Sequence, residues 1–430
     1  MGLLTEIIRA NRAAEPRGIY AVCSAHPMVL EACFEQARVD GSPILIEATS
    51  NQVNQQGGYT GRTPAQFREE VTGLAAACGQ PAEQVVLGGD HLGPNPWQNE
   101  AAGPAMEKAC AMVAAYVEAG FAKIHLDASM ACAGDPVPLP DDVIAARAAR
   151  LCAAAEQAAA RRDDGPKPVY VIGTEVPAPG GAQEELAQLA VTGATDLIRT
   201  IEVHRAAFAA AGLEGAWERV IAVVVQPGVE FGHAQVVDYV PGRAEALSAA
   251  VQRFEGLVFE AHSTDYQTEA ALRVLVEGRF AILKVGPALT FALREAIFAL
   301  AAIEAEWMPA ADRSRVREAL DEAMLRNPAY WARYYHGSAE EQRFARAWSL
   351  SDRCRYYWPD PAVTAAVERL LANLEAHPPP LPLVSQFLPG QHAAIRAGRL
   401  ANAPRALIRA KVREVAALYA RACGMGGALP

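Results

Sequence analysis

The stretch from Gln84 to Gly93 reads Gln-Val-Val-Leu-Gly-Gly-Asp-His-Leu-Gly and joins a short apolar run to a polar end. A near-continuous apolar run of this length is typical of a parallel β-strand buried on both faces. Alanine-rich stretches such as Ala105–Ala119 separate most of the runs and predict amphipathic helices. The other seven apolar runs are Gly18–Ala25, Pro43–Ala48, Ala122–Leu126, Pro168–Gly173, Val220–Val225, Gly256–Ala261 and Ala281–Val285. Eight such alternations predict an α/β fold, a (β/α)8 TIM barrel that closes near residue 300.

The rival architecture is an open doubly wound sheet, which needs a glycine-rich phosphate turn after its first strand. Residues 21–26 read Ala-Val-Cys-Ser-Ala-His and do not form such a turn, so a barrel over residues 1–300 is favoured. Residues 301–430 are mostly helical in pattern, and we expect a helical extension packed on the barrel or on a partner subunit. A sharper alternative is that Arg353 and Arg355 reach over the barrel mouth, where arginine forks hold phosphate well.

The composition excludes several classes of protein. Of the 430 residues, 51% are hydrophobic and 20% are charged, which supplies a large core and excludes a disordered chain. There are 39 Lys and Arg against 49 Asp and Glu, and the net charge of -10 repels nucleic acid and anionic membranes. Charges interrupt the most apolar stretch, Phe291–Trp307, and the N-terminus lacks a signal-peptide pattern. With eight cysteines and no C-x-x-C pair, we expect reduced thiols in a soluble cytoplasmic protein without nucleic-acid or membrane partners.

Polar residues at the C-terminal ends of barrel strands converge on one pocket. The sharpest local signal is Asp90-His91, where a histidine can bind a divalent ion while the adjacent carboxylate moves a proton. His233 and His262 could supply two more imidazoles, with Glu175 as a fourth candidate ligand. In the alternative interpretation, Asp90 caps the next helix and His91 bonds a backbone carbonyl.

Long segments of the chain match one known family. They are Gly18–His26, Ile46–Gly61, Gly88–Trp97, Lys123–Ser129, Gly173–Pro177, Glu260–Gln267, Lys284–Leu289 and Ser349–Trp358. Over nearly its whole length the chain resembles the Z-type subunit of tagatose-1,6-bisphosphate aldolase. That family belongs with the class II, metal-dependent aldolases of galactitol and N-acetylgalactosamine breakdown. Its members are usually described as a non-catalytic partner of the catalytic Y-type subunit, while some carry a tagatose-6-phosphate kinase label and some relatives are ketohexose or ketohexose-phosphate 4-epimerases.

The resemblance implies a cofactor and roles for several residues. Class II aldolases hold zinc with three histidines and move a proton with an aspartate. By this likeness Asp90 is the aspartate, and the ligands are His91, His233 and His262. Zinc is the expected cation, with manganese, nickel or cobalt as alternatives. The sequence departs from the aldolases where His262 lies in Glu-Ala-His-Ser-Thr-Asp instead of their phosphate loop, and where Lys284 replaces their asparagine, so we expect phosphate to bind differently.

Polar residues near the strand ends are the expected sugar contacts. Ser50, Asn51 and Gln52 could hydrogen-bond sugar hydroxyls, although such polar runs are also ordinary loop chemistry. Lys284 is expected to contact the substrate or a carboxylate rather than to form a Schiff base. The full expected substrate-binding set is Ser50, Asn51, Gln52, Ser129, Ser263, Lys284, Arg353 and Arg355.

Two hypotheses about function remain. In the first, the chain is an enzyme that epimerises a ketohexose or its 6-phosphate at C4 by a retro-aldol step. Asp90 would transfer the proton of the C4 hydroxyl, with Glu47, Asp127 and Glu175 as second candidates. In the second, the chain is a structural subunit that stabilises a Y-type aldolase subunit. We also expect a homo-oligomer, and the absence of a G-x-x-x-x-G-K-[S/T] loop argues against a kinase.

Overall fold

The computed structural model describes residues 2–163, 165–174 and 189–425. Its strands are β1 (Ile19–Val22), β2 (Ile44–Thr49), β3 (Val85–Leu92), β4 (Lys123–Leu126), β5 (Val169–Ile172), β6 (Val220–Val225), β7 (Glu230–Phe231), β8 (Val236–Val237), β9 (Val258–Ala261) and β10 (Ile282–Val285). Eight of them form a closed parallel barrel in the order β1-β10-β9-β6-β5-β4-β3-β2. β7 and β8 form a separate antiparallel ribbon.

The pairing of β1 with β10 closes the barrel, with Ile19 opposite Ile282 and Val22 opposite Val285. Each predicted apolar run overlaps one barrel strand, so the (β/α)8 prediction is confirmed. The strands are almost entirely buried, as expected for parallel strands covered by helices.

Helices follow most barrel strands and continue after the last one. Those up to the end of the barrel are α1 (Leu3–Arg12), α2 (Pro27–Asp40), α3 (Pro64–Ala77), α4 (Ala102–Glu118), α5 (Asp141–Ala160), α6 (Ala194–Ala210), α7 (Glu214–Trp217), α8 (Glu245–Val251), α9 (Glu269–Glu277) and α10 (Pro287–Trp307). The C-terminal region adds α11 (Val316–Arg326), α12 (Ala339–Trp348), α13 (Pro361–Ala376), α14 (Leu381–Phe387), α15 (Pro389–Arg396) and α16 (Pro404–Ala422). Within the described ranges, none of these helices combines the length and the apolar character that a bilayer crossing needs.

Local chemistry fixes several helix ends. Thr63 begins α3 with a capping box: its side chain accepts from the amide of Gln66, whose side chain accepts from the amide of Thr63. Ser338 and Glu341 form the same motif at the start of α12. α2 ends at Gly41, whose φ of 61° lies in the left-handed region that glycine adopts without steric cost.

An apolar layer at the N-terminal end of the barrel leaves the other end for polar groups. Leu4, Ile7 and Ile8 of α1 share one buried cluster with strand residues such as Ile19 and Leu45. A second and larger cluster joins the strands to the surrounding helices. The buried charged residues described below therefore gather toward the C-terminal ends of the strands, where TIM barrels place their active sites.

The C-terminal helices pack on the barrel helices and also contact the barrel mouth. α16 packs against α2, α9 and α10, and α13 packs against α10 and α11. The amide of Leu350 donates to the carbonyl of His233 (2.9 Å), and the Tyr266 hydroxyl donates to the carbonyl of Leu350 (2.5 Å). Because α10 continues across residue 300, the division into a 1–300 barrel and a 301–430 extension stays a prediction.

Candidate active site

Three buried histidines meet at the C-terminal ends of the strands. His91 lies in β3, His125 in β4, and His262 directly after β9. Their ring centroids are 4.8 Å apart for His91 and His262, 5.2 Å for His125 and His262, and 5.3 Å for His91 and His125. We call these three side chains the histidine trio.

Each ring of the histidine trio has one nitrogen held in place by a carboxylate. Nδ1 of His91 lies 2.8 Å from Oδ2 of Asp127, and Nε2 of His262 lies 3.0 Å from Oε1 of Glu260. Nδ1 of His125 lies 3.1 Å from Oδ1 of Asp90 and 3.2 Å from the amide nitrogen of His91, which donates to it. Carboxylates that bind one imidazole nitrogen in this way orient the ring and leave the other nitrogen available to a metal ion.

Glycines next to Asp90-His91 let β3 approach its neighbours closely. A Cβ atom at Gly88 would lie 2.6 Å from Oε1 of Glu47, and one at Gly93 would lie 1.5 Å from the carbonyl oxygen of Asp127. The pairing of β3 with β4 shifts register between Gly89 and Leu92, and His91 has a φ of 48°. A bulge of this kind redirects a side chain, and here it occurs at the polar end of β3.

Two buried lysines hold the carboxylates beneath the histidine trio. Nζ of Lys123 lies 2.5 Å from Oε1 of Glu47 and 2.5 Å from Oε2 of Glu260. Nζ of Lys284 contacts Oε2 of Glu47 and lies 2.6 Å from Oδ1 of Asp90 and 3.5 Å from Oε1 of Glu260. Three buried carboxylates, those of Glu47, Asp90 and Glu260, thus share two ammonium groups below the pocket.

Neighbouring charges shift the pKa values of Asp90 and His91 in opposite directions. Burial raises the pKa of Asp90, but the charges of His91 and Lys284 outweigh burial and hold it well below its ordinary value. Burial lowers the pKa of His91, but Asp90 and Asp127 outweigh burial and raise it above its ordinary value. Burial lowers the pKa of His262 to about 3, despite the hydrogen bond to Glu260. His262 is therefore a neutral imidazole, as metal binding requires.

The donor set fits a divalent cation. One ligand atom from each of Asp90, His125, Glu260 and His262 lies within 4.8 Å of the others. Nε2 of His125 is buried without a hydrogen-bond partner in the described chain, which a bound cation would remedy. Mixed imidazole and carboxylate ligands suit zinc and neighbouring transition metals. His91 is not a member of this group of four, so its expected role as a ligand stays a prediction.

His233 does not lie with the histidine trio, so the expected ligand set needs correction. Nδ1 of His233 is 3.2 Å from Oγ of Ser351, and its Nε2 is 2.9 Å from the carbonyl oxygen of Tyr334. Both ring nitrogens of His233 thus contact the C-terminal region, and the imidazole that lies beside those of His91 and His262 is that of His125. Glu175, the fourth candidate ligand, lies outside the described residues.

The expected catalytic carboxylates occupy different positions. Asp90 lines the pocket between the strand ends. Glu47 lies below it, with its two oxygens bound to Lys123 and Lys284. Asp127 accepts from the hydroxyl of Ser129 (2.6 Å) as well as from His91, so both of its oxygens are occupied. Neither Asp90 nor His91 follows the alternative interpretation, since the carboxylate of Asp90 binds Lys284 and His125, and the ring of His91 binds Asp127.

The expected substrate-binding residues divide into two groups. Those that line the pocket are Asn51, Gln52, Ser263, Lys284 and Arg355. Three others do not line it: Ser50 is buried, Ser129 binds Asp127, and Arg353 lies in an adjoining groove lined also by Tyr334 and Tyr356.

Sequence reasoning assigned no catalytic, metal-binding or substrate-binding role to His125, Lys123, Glu260 or Asp265. A period of two could have revealed the first three. Lys123, His125 and Asp127 alternate along β4, and Glu260 and His262 alternate at the end of β9, so members of each set point to the same side of the barrel wall. Asp265 carried no such signal.

The fold and the site define a (β/α)8 barrel with a histidine–carboxylate pocket at the C-terminal ends of its strands. Residues 4–424 match the family model described as D-tagatose-1,6-bisphosphate aldolase subunit GatZ/KbaZ-like, and the chain belongs to this family. The family expected from the sequence is therefore confirmed.

The chain is also similar to several solved structures. The chain is similar to a probable tagatose 6 phosphate kinase from Sinorhizobium meliloti 1021, with 52% identity and a TM-score of 0.87 over 95% of this chain and 100% of that chain. It is more distantly similar to a fructose-bisphosphate aldolase from Campylobacter jejuni, with 15% identity and a TM-score of 0.44 over 87% of this chain and 92% of that chain. For the YdjI aldolase from Escherichia coli K12, the identity is 10% and the TM-score 0.41, over 87% and 96% of the two chains.

Proposed function

We propose that this chain is a metal-dependent enzyme of sugar-phosphate metabolism that inverts C4 of a ketohexose or ketohexose 6-phosphate, interconverting the tagatose and fructose series. The observation that supports it most is the histidine trio, in which a carboxylate secures one nitrogen of each ring. A divalent cation held by His91, His125 and His262, with zinc expected, would polarise the C2 carbonyl and stabilise enediolate charge.

The substrate chemistry favours a retro-aldol route. A carbonyl at C2 makes the C3–C4 bond cleavable but does not acidify the hydrogen on C4. Loss of the C4 hydroxyl proton breaks the C3–C4 bond, whose electron pair moves toward the C2 oxygen and leaves an aldehyde at C4. Rotation of that aldehyde and re-formation of the bond invert C4 without oxidation or reduction.

Asp90 is the residue that we assign to the C4 hydroxyl proton. Its low pKa keeps the carboxylate ionised, so it can accept a hydrogen bond from the C4 hydroxyl. Oδ1 is held by Lys284 and His125, whereas Oδ2 has only the Cys23 thiol at 3.7 Å and Nε2 of His91 at 3.8 Å among the described residues. Oδ2 is therefore the oxygen left for substrate. Asp127 orients His91, and Glu47 anchors the two lysines, so neither is needed for proton transfer.

Activity of the purified chain tests this proposal. Protein prepared without any partner subunit is incubated with fructose 6-phosphate or tagatose 6-phosphate in D2O, with and without added zinc. We expect interconversion, with no deuterium at C4 because the C4–H bond stays intact. Deuterium at C4 would exclude the retro-aldol route, and an inactive chain with stoichiometric metal would exclude C4 epimerisation.

The family description favours a second candidate function. As a GatZ/KbaZ-like subunit, the chain could stabilise a Y-type catalytic subunit in the cytoplasm without performing chemistry itself. A metal-free chain that only prolongs the lifetime of an added Y-type aldolase would support this role. The homo-oligomer expected from sequence belongs to the same proposal and is measured by light scattering.

A further inference from the structure

Asp265 closes the N-terminus of α10 with its own carboxylate. Its Oδ1 accepts hydrogen bonds from the amides of Gly286 (3.0 Å) and Ala288 (2.8 Å). Asp265 is 3% exposed and lines the candidate pocket beside Ser263. Free amides at a helix N-terminus are natural phosphate ligands, and TIM barrels often use those that follow the seventh and eighth strands. In this chain, those amides already have an anionic partner.

Arg355 presents the opposite charge to the same pocket. Its Nη1 donates to the carbonyls of Ser351 and Asp352, and its Nη2 donates to the hydroxyl of Tyr356 (3.0 Å). Among the described residues, no Asp or Glu oxygen forms an ion pair with Arg355, and its Nε donates to no acceptor. The backbone carbonyls therefore fix the guanidinium and leave part of its donor edge to a ligand.

Arg353 adds a second buried guanidinium without an acidic partner in the described chain. It is 3% exposed, its Nη1 donates to the carbonyl of Tyr330 (3.0 Å), and its buried Nε has no hydrogen-bond partner. Arg353 lines the adjoining groove, whose wall of Asn51, Tyr59 and Tyr356 also lines the candidate pocket. Because neither guanidinium forms a direct ion pair with a described carboxylate, this pair of arginines favours an anionic ligand.

We propose that Asp265 and Arg355 determine which phosphates the pocket accepts: Asp265 excludes a phosphate from the N-terminus of α10, and Arg355 binds the single phosphate of a ketohexose monophosphate. This inference rests on the proposed function and assigns its substrate class. A ketohexose 1,6-bisphosphate needs two anion sites, and among the described residues that line the pocket, Arg355 is the arginine left for phosphate while Asp265 occupies the amides at the start of α10. The chain alone thus selects monophosphates over bisphosphates.

Binding of inorganic phosphate tests the inference without any turnover. Calorimetry compares the unaltered chain with Arg355→Gln, Asp265→Ser and the double variant, and Arg343→Gln on exposed α12 serves as the control. We expect Arg355→Gln to weaken binding at least tenfold and Arg343→Gln to leave it unchanged. The double variant should regain binding, because the freed amides of Gly286 and Ala288 then supply a new site. Unchanged affinity in Arg355→Gln would overturn the proposal, as would a double variant that binds no better than Arg355→Gln.

Competition between sugar phosphates tests the substrate class. Fructose 6-phosphate should bind the unaltered chain at least tenfold more tightly than fructose 1,6-bisphosphate, and Asp265→Ser should narrow that difference. Tighter binding of the bisphosphate by the unaltered chain would overturn the proposal. Circular dichroism verifies that each variant folds. If Asp265→Ser does not fold, Asp265→Asn replaces it. Asp265→Asn also removes the repelling charge, so we again expect a smaller difference in affinity between the monophosphate and the bisphosphate. Both readouts are equilibrium affinities, so an inactive chain would contradict the proposed function and leave this inference testable.

Discussion

The ammonium of Lys284 lies 2.6 Å from Oδ1 of Asp90. Lys284 belongs to β10 and Asp90 to β3, which are the eighth and third strands of the barrel. Lys284 is almost completely buried, and burial lowers its pKa, but Asp90 and the other acids around it outweigh burial and raise it well above its ordinary value. Lys284 is thus a fixed cation that keeps Asp90 ionised. It is not a candidate for Schiff-base chemistry, which needs a neutral amine.

Removing that cation should destabilise the barrel strongly. Lys284→Met leaves Asp90 without its ammonium partner, and breaking a buried ion pair on one side costs about 3–5 kcal/mol of unfolding free energy. Urea denaturation measures the loss. In the control, Lys108→Met breaks the half-exposed pair with Glu100 and should cost less than about 1 kcal/mol. Equal losses in the two variants would contradict a buried ionic network.

Weakening the hydrogen bond between His91 and Asp127 should lower the affinity of the chain for zinc. Asp127→Asn keeps the shape of the side chain but weakens its hold on the His91 ring, and such changes lower metal affinity about 10- to 100-fold. Competition with a chromogenic chelator measures the zinc affinity. Asp135→Asn, which alters a carboxylate paired with Arg147 on α5, is the matched control and should leave it unchanged. A normal affinity in Asp127→Asn would exclude His91 as a ligand.

Glu230 gives a stability change with a defined pH dependence. Burial raises its pKa to about 7, above the ordinary value near 4.5, so the folded chain retains a proton that the unfolded chain releases between these values. The folded state therefore loses stability as pH rises from 4.5 to 7, by up to about 3 kcal/mol at 1.36 kcal/mol per pKa unit. Glu230→Gln should match the unaltered chain at pH 4 and exceed it at pH 8.

Thermal unfolding across this pH range measures the effect of Glu230→Gln. The control is Glu277→Gln, at an exposed position near the end of α9, which should show no such divergence. A Glu230→Gln variant that is less stable than the unaltered chain at pH 8 would show that Glu230 is ionised and well solvated.

Two glycines should respond to alanine with opposite signs. Gly93→Ala places a Cβ atom 1.5 Å from the carbonyl oxygen of Asp127, which forces β3 and β4 apart and should cost more than about 3 kcal/mol. Gly103, in α4, has nothing within 4 Å of an added Cβ, and Gly103→Ala should stabilise by about 0.5–1 kcal/mol. Thermal unfolding of both variants measures these changes in stability. A tolerated Gly93→Ala would mean that the two strand ends lie farther apart than described.

The barrel was predictable because parallel strands covered on both faces appear in sequence as short apolar runs. Pro43–Ala48 and Ala281–Val285 are of this kind, and each overlaps one strand. The position of His233 was not predictable in the same way. It lies in the turn between β7 and β8, and that ribbon carries it to Ser351 in the C-terminal region. The spacing of residues after β6 does not indicate that the β7–β8 ribbon extends toward the C-terminal region.

His125 illustrates why the rest of the site escaped prediction. It lies inside β4 and not after it, and the sequence signal for an inward imidazole is its alternation with Lys123 and Asp127. Only the closed barrel brings it next to Asp90 of β3 and His262 of β9. Asp265 escaped for a related reason, since its partners are amides of Gly286 and Ala288 on another strand-to-helix loop.

Zinc content tests the central claim most directly. The unaltered chain, His125→Ala and His233→Ala are purified without a partner subunit, dialysed against the same zinc buffer and measured by inductively coupled plasma mass spectrometry, with circular dichroism as the folding check. The histidine trio predicts one zinc per chain for the unaltered protein and for His233→Ala, and close to none for His125→Ala. A folded His125→Ala that retains its zinc while His233→Ala loses it would contradict this account.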